Sequence, residues 1–194
     1  KPLSLFYLEN DGVMEVLAGA NLQLVATSAS TYAMSGSMLV NGGTVTIGKT
    51  FGQTLRVNHG LLELRNAIVN TGTGIFSSIV VATDIGNPAQ PAVLNCTGTS
   101  FAGVQIDIEG DGLVTAFNDN SFNTAVSGCH ILWKCTDTRS ETTFRRIQFN
   151  VGLTSGSAPY NVQATSNALL LNMLQCGGIG NGEQFDGDAS GDAR

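Results

Sequence analysis

The sequence is poor in charge, since only 12% of its 194 residues are Asp, Glu, Lys or Arg. The formal net charge is −6, and Arg145-Arg146 is the only adjacent pair of basic residues. Binding to nucleic-acid phosphates requires a stripe of Lys and Arg. The composition therefore argues against a nucleic-acid partner.

Long apolar runs are also missing. No 18 consecutive residues are apolar, so the sequence predicts no membrane-spanning helix. The chain begins at Lys1 without Met or a signal-like apolar region, which is expected of a mature, trimmed or excised segment. No nucleophile motif such as G-x-S-x-G accompanies His59 and His130, so no catalytic triad is predicted.

Four cysteines are present, and none forms a CxxC pair or a zinc-binding spacing. They allow three disulfide pairings, of which Cys129 with Cys135 is the local one. Buried free thiols are the alternative interpretation, and the sequence leaves both open.

Glycine, by contrast, is abundant and periodic. Gly12, Gly36 and Gly60 lie 24 residues apart, and each begins a strand-like segment. Two further sets of short apolar segments recur at about the same step, one of them around positions 31, 55 and 79. A fixed period carried by extended segments indicates a chain that winds the same path repeatedly. We predict an all-β solenoid with about 24 residues and three short strands per coil.

The repeat is regular over residues 12–83 and looser over residues 84–165, where Asn87 to Pro91 reads as an inserted loop. Residues 1–10 and 166–176 are expected to cap the ends of the β-helix, which would span residues 1–176. The stretch from Ala168 to Leu174 fits a last strand or a short helix. Residues 177–194 read as a tail rich in Gly and Asp.

The glycine-led strands and the phrase Val40-Asn-Gly-Gly-Thr-Val-Thr-Ile47 resemble the right-handed parallel β-helix, the pectate-lyase-like fold. The phrase is similar to the coils of phage tailspikes and of bacterial autotransporter or adhesin passengers. The resemblance implies a location outside the cell, on the cell surface or on a virion. It also implies adhesion, virion structure or the cleavage of polysaccharides.

The strongest acidic cluster is Asp107, Glu109 and Asp111. Alternate residues of a strand share a face, so Asp107 and Glu109 could converge on a sugar with Arg145 or Arg146 nearby. Such a pair could act as the acid and base of a glycan-cleaving enzyme. The alternative is an exposed polar face that ends in an Asp-Gly turn.

Other side chains suggest weaker sites. Trp133 and Tyr160 could stack on a sugar ring, although Trp133 also fits a core position. Glu15 and Glu63 occupy equivalent positions two coils apart, with Leu39 between them, which argues against a catalytic pair.

The acidic tail matches the first positions of a calcium loop of the EF-hand or dockerin type. Asp186, Asp188 and Ser190 would supply oxygen ligands, and Asp192 a backbone carbonyl. The acidic residue expected at position 12 of the loop would fall beyond Arg194. Calcium is the one cofactor that the sequence suggests, and an acidic tail without metal is the alternative.

These observations favour a structural or adhesive β-helix module that binds a glycan or a host surface. Outward apolar residues such as Val13, Leu39 and Leu61 suggest self-association, for example as a homotrimer. The alternative function is a polysaccharide hydrolase or lyase.

Overall fold

The computed structural model describes residues 2–5, 9–82, 91–110, 112–124, 126, 128–135, 141–149, 157–162, 170–174 and 184–185. All regular structure in these residues is β-strand. The strands are β1 (Leu3–Leu5), β2 (Glu9–Asn10), β3 (Val13–Leu17), β4 (Asn21–Leu24), β5 (Ser30–Met34), β6 (Ser37–Asn41), β7 (Thr44–Ile47), β8 (Gln53–Val57), β9 (Gly60–Arg65), β10 (Ile68–Asn70), β11 (Ser77–Ala82), β12 (Ala92–Thr97), β13 (Ser100–Ala102), β14 (Val104–Gly110), β15 (Leu113–Asn118), β16 (Ser121–Phe122), β17 (Gly128–Cys135), β18 (Glu141–Arg145), β19 (Gln148–Phe149), β20 (Ser157–Val162), β21 (Leu170–Leu174) and β22 (Gln184–Phe185).

The strands form three parallel sheets. The first sheet has the order β1-β4-β7-β10-β13-β16-β19, the second β2-β5-β8-β11-β14-β17-β20-β22, and the third β21-β18-β15-β12-β9-β6-β3. Up to β21, each strand therefore pairs with the strand three places along the chain, so every coil adds one strand to each sheet. The predicted β-solenoid with three strands per coil is confirmed. Its right hand, expected for parallel crossovers, stays a prediction.

Side-chain alternation builds the core. Successive residues of a strand point to opposite faces, and parallel pairing in register stacks equivalent residues from coil to coil. Met14, Met38 and Leu62 are aligned in this way, and Met38 and Leu62 are buried. Later coils continue the core with Phe101, Phe117 and Phe122, whose rings stack with centroids 5.0–6.5 Å apart.

The periodic glycines form one repeated corner. A Cβ atom built on Gly36 would lie 2.1 Å from the carbonyl oxygen of Gly12, and one on Gly60 would lie 2.0 Å from that of Gly36. Successive coils therefore meet backbone to backbone at this corner, and no side chain fits between them. The predicted stacking of the three glycines is confirmed.

A second repeated corner, between the third and first sheets, was not predicted. Its first residue has a positive φ in successive coils, as at Gly42, Asn66, Gly98, Asp119 and Arg146. The left-handed conformation turns the chain sharply, and Gly, Asn and Asp tolerate it best. Mixed residue types hide this corner in the sequence.

Several expectations about the chain ends can be compared with these strands. The stretch that fitted a strand or a helix contains strand β21. Strand β22 lies within the range expected to be a tail and pairs with β20. Of the predicted loop from Asn87 to Pro91, only Pro91 is among the described residues. No helix long and apolar enough to cross a membrane occurs in the part of the chain that the structure describes.

Candidate functional site

A cleft of about 400 Å³ opens on the outer face of the second sheet, where β8, β11 and β14 lie side by side. The residues that line it come from three successive coils and from the segment before β17: Gly52, Gln53, Thr54, Phe76, Ser77, Ser78, Gln105, Asp107 and Val126. Most of these side chains are polar, so the cleft differs from a packing defect in the apolar core.

Hydroxyl and amide groups form the floor of the cleft. Thr54 pairs in register with Ser78, and Ser78 pairs with Gln105. The hydroxyl oxygens of Thr54 and Ser78 lie 3.1 Å apart and share a hydrogen bond. Because neighbouring strands are about 4.8 Å apart, these groups repeat along the solenoid axis at one per coil.

Asp107 places a carboxylate beside this ladder. Its register partners are Val80 on β11 and Leu132 on β17, so apolar residues flank it on both sides. This partial burial raises the pKa of Asp107 to about 6, and the nearby charge of Glu109 acts in the same direction. The Gln105 amide donates a hydrogen bond to Asp107 Oδ1 and opposes the shift.

Gln53 contributes an unsatisfied acceptor. Its side chain is only 2% exposed, and its Nε2 donates to the carbonyl oxygens of Ser28 and Phe51 at 2.8 and 3.3 Å. Its Oε1 is buried and has no hydrogen-bond partner among the described residues. A buried acceptor of this kind is costly unless a ligand or water donates to it.

The predicted acidic cluster is only partly brought together. Asp107 and Glu109 lie on the same face of β14, as expected, and Glu109 forms an ion pair with Lys134 at 3.8 Å. Asp111 lies outside the described residues.

The expected arginines are not near this cluster. Arg145 ends β18 in the third sheet, and Arg146 follows it. Arg146 Nη2 donates to Asp119 Oδ2 at 2.7 Å, and Nε donates to Oδ1. The prediction that these arginines assist Asp107 is wrong, because their strand belongs to a different sheet.

The aromatic candidates Trp133 and Tyr160 belong to β17 and β20 of the second sheet. Trp133 pairs in register with Ile108, and Tyr160 pairs with Ile131, two buried residues of the core. Asp107 pairs instead with Leu132, one residue out of phase. Phe76, which no sequence motif singles out, does line the cleft.

The two histidines, His59 and His130, differ in their surroundings, and neither lines the cleft. His130 is fully buried, with its ring centroid 5.0 Å from that of Phe122, and burial lowers its pKa to about 4. It is a core histidine, as its apolar strand suggested. His59 precedes the corner glycine Gly60 and does not line the cleft.

The suggested disulfide does not fit the fold. Cys129 and Cys135 lie six residues apart on the single strand β17. An extended strand separates such Cα atoms by about 20 Å, whereas a disulfide needs about 4–7 Å. Cys96 is a buried free thiol.

Two other predicted sites can be placed. Glu15, Leu39 and Glu63 are in register on the third sheet, and Glu63 is bound by Arg65 and Asn95. The calcium candidates Asp186, Asp188, Ser190 and Asp192 lie outside the described residues. In the part of the chain that the structure describes, no group of three or more His, Cys, Asp or Glu side chains could hold a metal ion.

Comparison with protein-family models, with curated proteins and with solved structures finds no match to this chain. The arrangement of the site therefore has to be interpreted on its chemistry. The cleft offers hydroxyl and amide groups that both donate and accept, one carboxylate and one phenyl ring. This set suits an uncharged ligand rich in hydroxyl groups.

Proposed function

We propose that the chain is a rigid β-solenoid module, extracellular or on a virion, that binds a glycan in the cleft of the second sheet. The observation that carries the proposal is the row of hydroxyl and amide side chains, Thr54, Ser78 and Gln105, which lie in register in a cleft that also holds Asp107. A sugar hydroxyl could donate to Asp107 while accepting from Ser78 or Gln105. Glycans supply such hydroxyls at close and regular intervals.

Asp107 supports a functional role for the cleft in a second way. A carboxyl group whose pKa is raised to about 6 destabilises the folded protein at pH 7, because burial disfavours its charged form. Asn or Ser at this position would avoid that cost. Residues that reduce stability occur preferentially at functional sites.

The test is binding to an array of bacterial and host glycans at pH 7, comparing the wild type with Asp107→Asn. We expect the variant to lose about tenfold or more in affinity, as expected when a central polar contact is removed. Glu15→Gln is the control, because Glu15 is an exposed carboxylate on the third sheet. Binding that is unchanged in Asp107→Asn would refute the proposal.

A second candidate function is glycan cleavage. Asp107 and Glu109 share one face of β14, and the raised pKa of Asp107 suits a general acid while Glu109 lies beside Lys134. The test is release of reducing ends, or of unsaturated products, from bacterial polysaccharides. Loss of release in both Asp107→Asn and Glu109→Gln would support an enzyme, whereas binding without release would favour adhesion.

Self-association is proposed for the third sheet. Val13 is 79% exposed, and its column across the sheet continues through Ser37, Leu61, Val93 and Leu113. This outward column is apolar except at Ser37, and exposed apolar surface favours burial against another chain. Light scattering of the wild type and of Val13→Ser/Leu61→Ser should separate a trimer from a monomer, and a monomeric wild type would refute this part.

A further inference from the structure

Phe76 lies at the corner that leads into β11 and lines the cleft with its ring 47% exposed. Its neighbours in the coils on either side are glycines. A Cβ atom built on Gly52 would lie 2.4 Å from the Phe76 carbonyl oxygen, and the next amide, of Ser77, donates to the carbonyl of Gly103 at 3.1 Å. Neither adjacent position therefore carries a side chain, and the phenyl ring has free space along the solenoid axis.

The Phe76 ring lines the same cleft as the polar ladder of Thr54, Ser78 and Gln105. Phe76 is two residues before Ser78 on the same chain segment, and Ser78 is in register with Thr54 and Gln105. An aromatic surface thus borders a row of donors and acceptors. A pyranose ring has an apolar face of C–H groups and a rim of hydroxyls, so it complements both features together.

The charges at the cleft select against acidic sugars. Asp107 is the one charged residue among those that line it. Of the described cations on this sheet, Lys134 is paired with Glu109, and Arg56 does not line the cleft. The carboxylate of a uronic or sialic acid bound beside Asp107 would therefore meet a like charge.

We infer that the cleft binds a neutral hexose ring of a glycan, stacked on Phe76 between Gly52 and Gly103, with its hydroxyls bound by Ser78, Gln105 and Asp107. This inference rests on the proposed function and specifies its ligand. Phe76 determines specificity for a ring with an apolar face. Asp107 accepts from the ring hydroxyls and rejects acidic sugars.

The test uses short neutral oligosaccharides of glucose, galactose, mannose and N-acetylglucosamine, with oligogalacturonate as the acidic probe. Affinities are measured by calorimetry at pH 7 for the wild type, Phe76→Ala, Phe76→Tyr and Phe51→Ala. Phe51 is the matched control, because it is 45% exposed at the same corner one coil earlier but does not line the cleft. Thermal unfolding monitored by circular dichroism verifies that each variant is folded.

We expect Phe76→Ala to raise the Kd of a neutral oligosaccharide by about tenfold, with Phe76→Tyr and Phe51→Ala close to the wild type. Oligogalacturonate should bind more weakly than its neutral counterpart. Equal losses in Phe76→Ala and Phe51→Ala, or preference for oligogalacturonate, would overturn the inference. Loss of binding in Asp107→Asn together with normal binding in Phe76→Ala would overturn the stacking alone and leave the proposed function standing. Absence of binding to every array glycan would overturn both.

Discussion

The two faces of the second sheet follow different rules. On its inner face, one column runs through Tyr32, Leu55, Ile79, Ile106 and Ile131, all of them apolar and buried. The adjacent outer column runs through Ala33, Arg56, Val80, Asp107 and Leu132 and changes chemical character at each coil. Parallel stacking in register imposes like upon like where side chains are packed. The outer face is under less of that constraint, so its residue types vary from coil to coil.

The largest effect is expected when a buried side chain of the core is truncated. Phe101→Ala removes a fully buried ring that stacks on Phe117 and Phe122. We expect a loss of about 4 kcal/mol in the free energy of unfolding, because the cavity forms in a core that cannot collapse without moving whole coils. Urea unfolding measures it. Phe51→Ala, an exposed ring, is the control, and a comparable loss there would contradict the distinction between the faces.

A somewhat smaller loss is expected at the glycine corner. Gly60 has φ +88, and a Cβ atom built on it would lie 2.0 Å from the Gly36 carbonyl oxygen, so Gly60→Ala adds both backbone strain and overlap. We expect about 3 kcal/mol of destabilisation, measured by urea unfolding.

Gly74→Ala separates the two causes. Gly74 also has a positive φ, +73, but a Cβ there would meet nothing within 4 Å. Backbone strain alone should cost about 1 kcal/mol. If the two variants lost equal stability, close stacking of the coils at the glycine corner would not be the constraint that we infer.

The regular coils could be predicted because three sets of segments kept one period. The strands β12 and β13 were not predicted, because the period is longer at this coil. Leu62 pairs with Leu94, which is 32 residues later instead of 24. The extra residues fall between β11 and β12. Insertions there leave the stacked strands in register, but they remove the fixed spacing in the sequence from which the coils are predicted.

The site was harder to predict than the scaffold. Alternation along β14 placed Asp107 and Glu109 on one face, which a single strand is enough to show. Gln53, Ser78 and Gln105 lie more than 20 residues apart in the chain. Only pairing between coils makes them neighbours, and no local motif records that pairing. The same limit led to the wrong expectation for Arg145 and Arg146.

On the outer face, the comparison predicts a substitution that raises the stability of the protein instead of lowering it. Asp107→Asn should stabilise the protein at pH 7 by about 2 kcal/mol while weakening glycan binding. Burial raises the pKa of Asp107 from 3.8 to about 6, so the folded state holds the proton more tightly than the unfolded state does. The stability gained from that proton is full below pH 3.8 and is lost as the pH rises through 6. Asn does not titrate and avoids the loss.

Urea unfolding of the wild type and the Asn variant at several pH values between about 4 and 8 tests this. The difference in stability between the two proteins should vanish toward pH 4 and grow toward pH 7. His130 titrates in the opposite sense, because its lowered pKa removes stability as the pH falls from 6.5 toward 4. Its contribution is common to both proteins and cancels in the difference. A difference that does not depend on pH would contradict the assignment to Asp107.

The smallest effect is expected at an outward residue that is nevertheless constrained by the backbone. Asn66 is exposed but has φ +48 at the corner between the third and first sheets. Asn66→Ala should cost about 1 kcal/mol in urea unfolding, because Ala tolerates the left-handed region poorly, whereas Asn66→Gly should stay within a few tenths of the wild type. If the Ala variant were as stable as the Gly variant, the corner would impose no conformational requirement. The tolerance of outward positions to different residue types would then extend to the turns, and the positive-φ corner would not be a structural requirement of the solenoid.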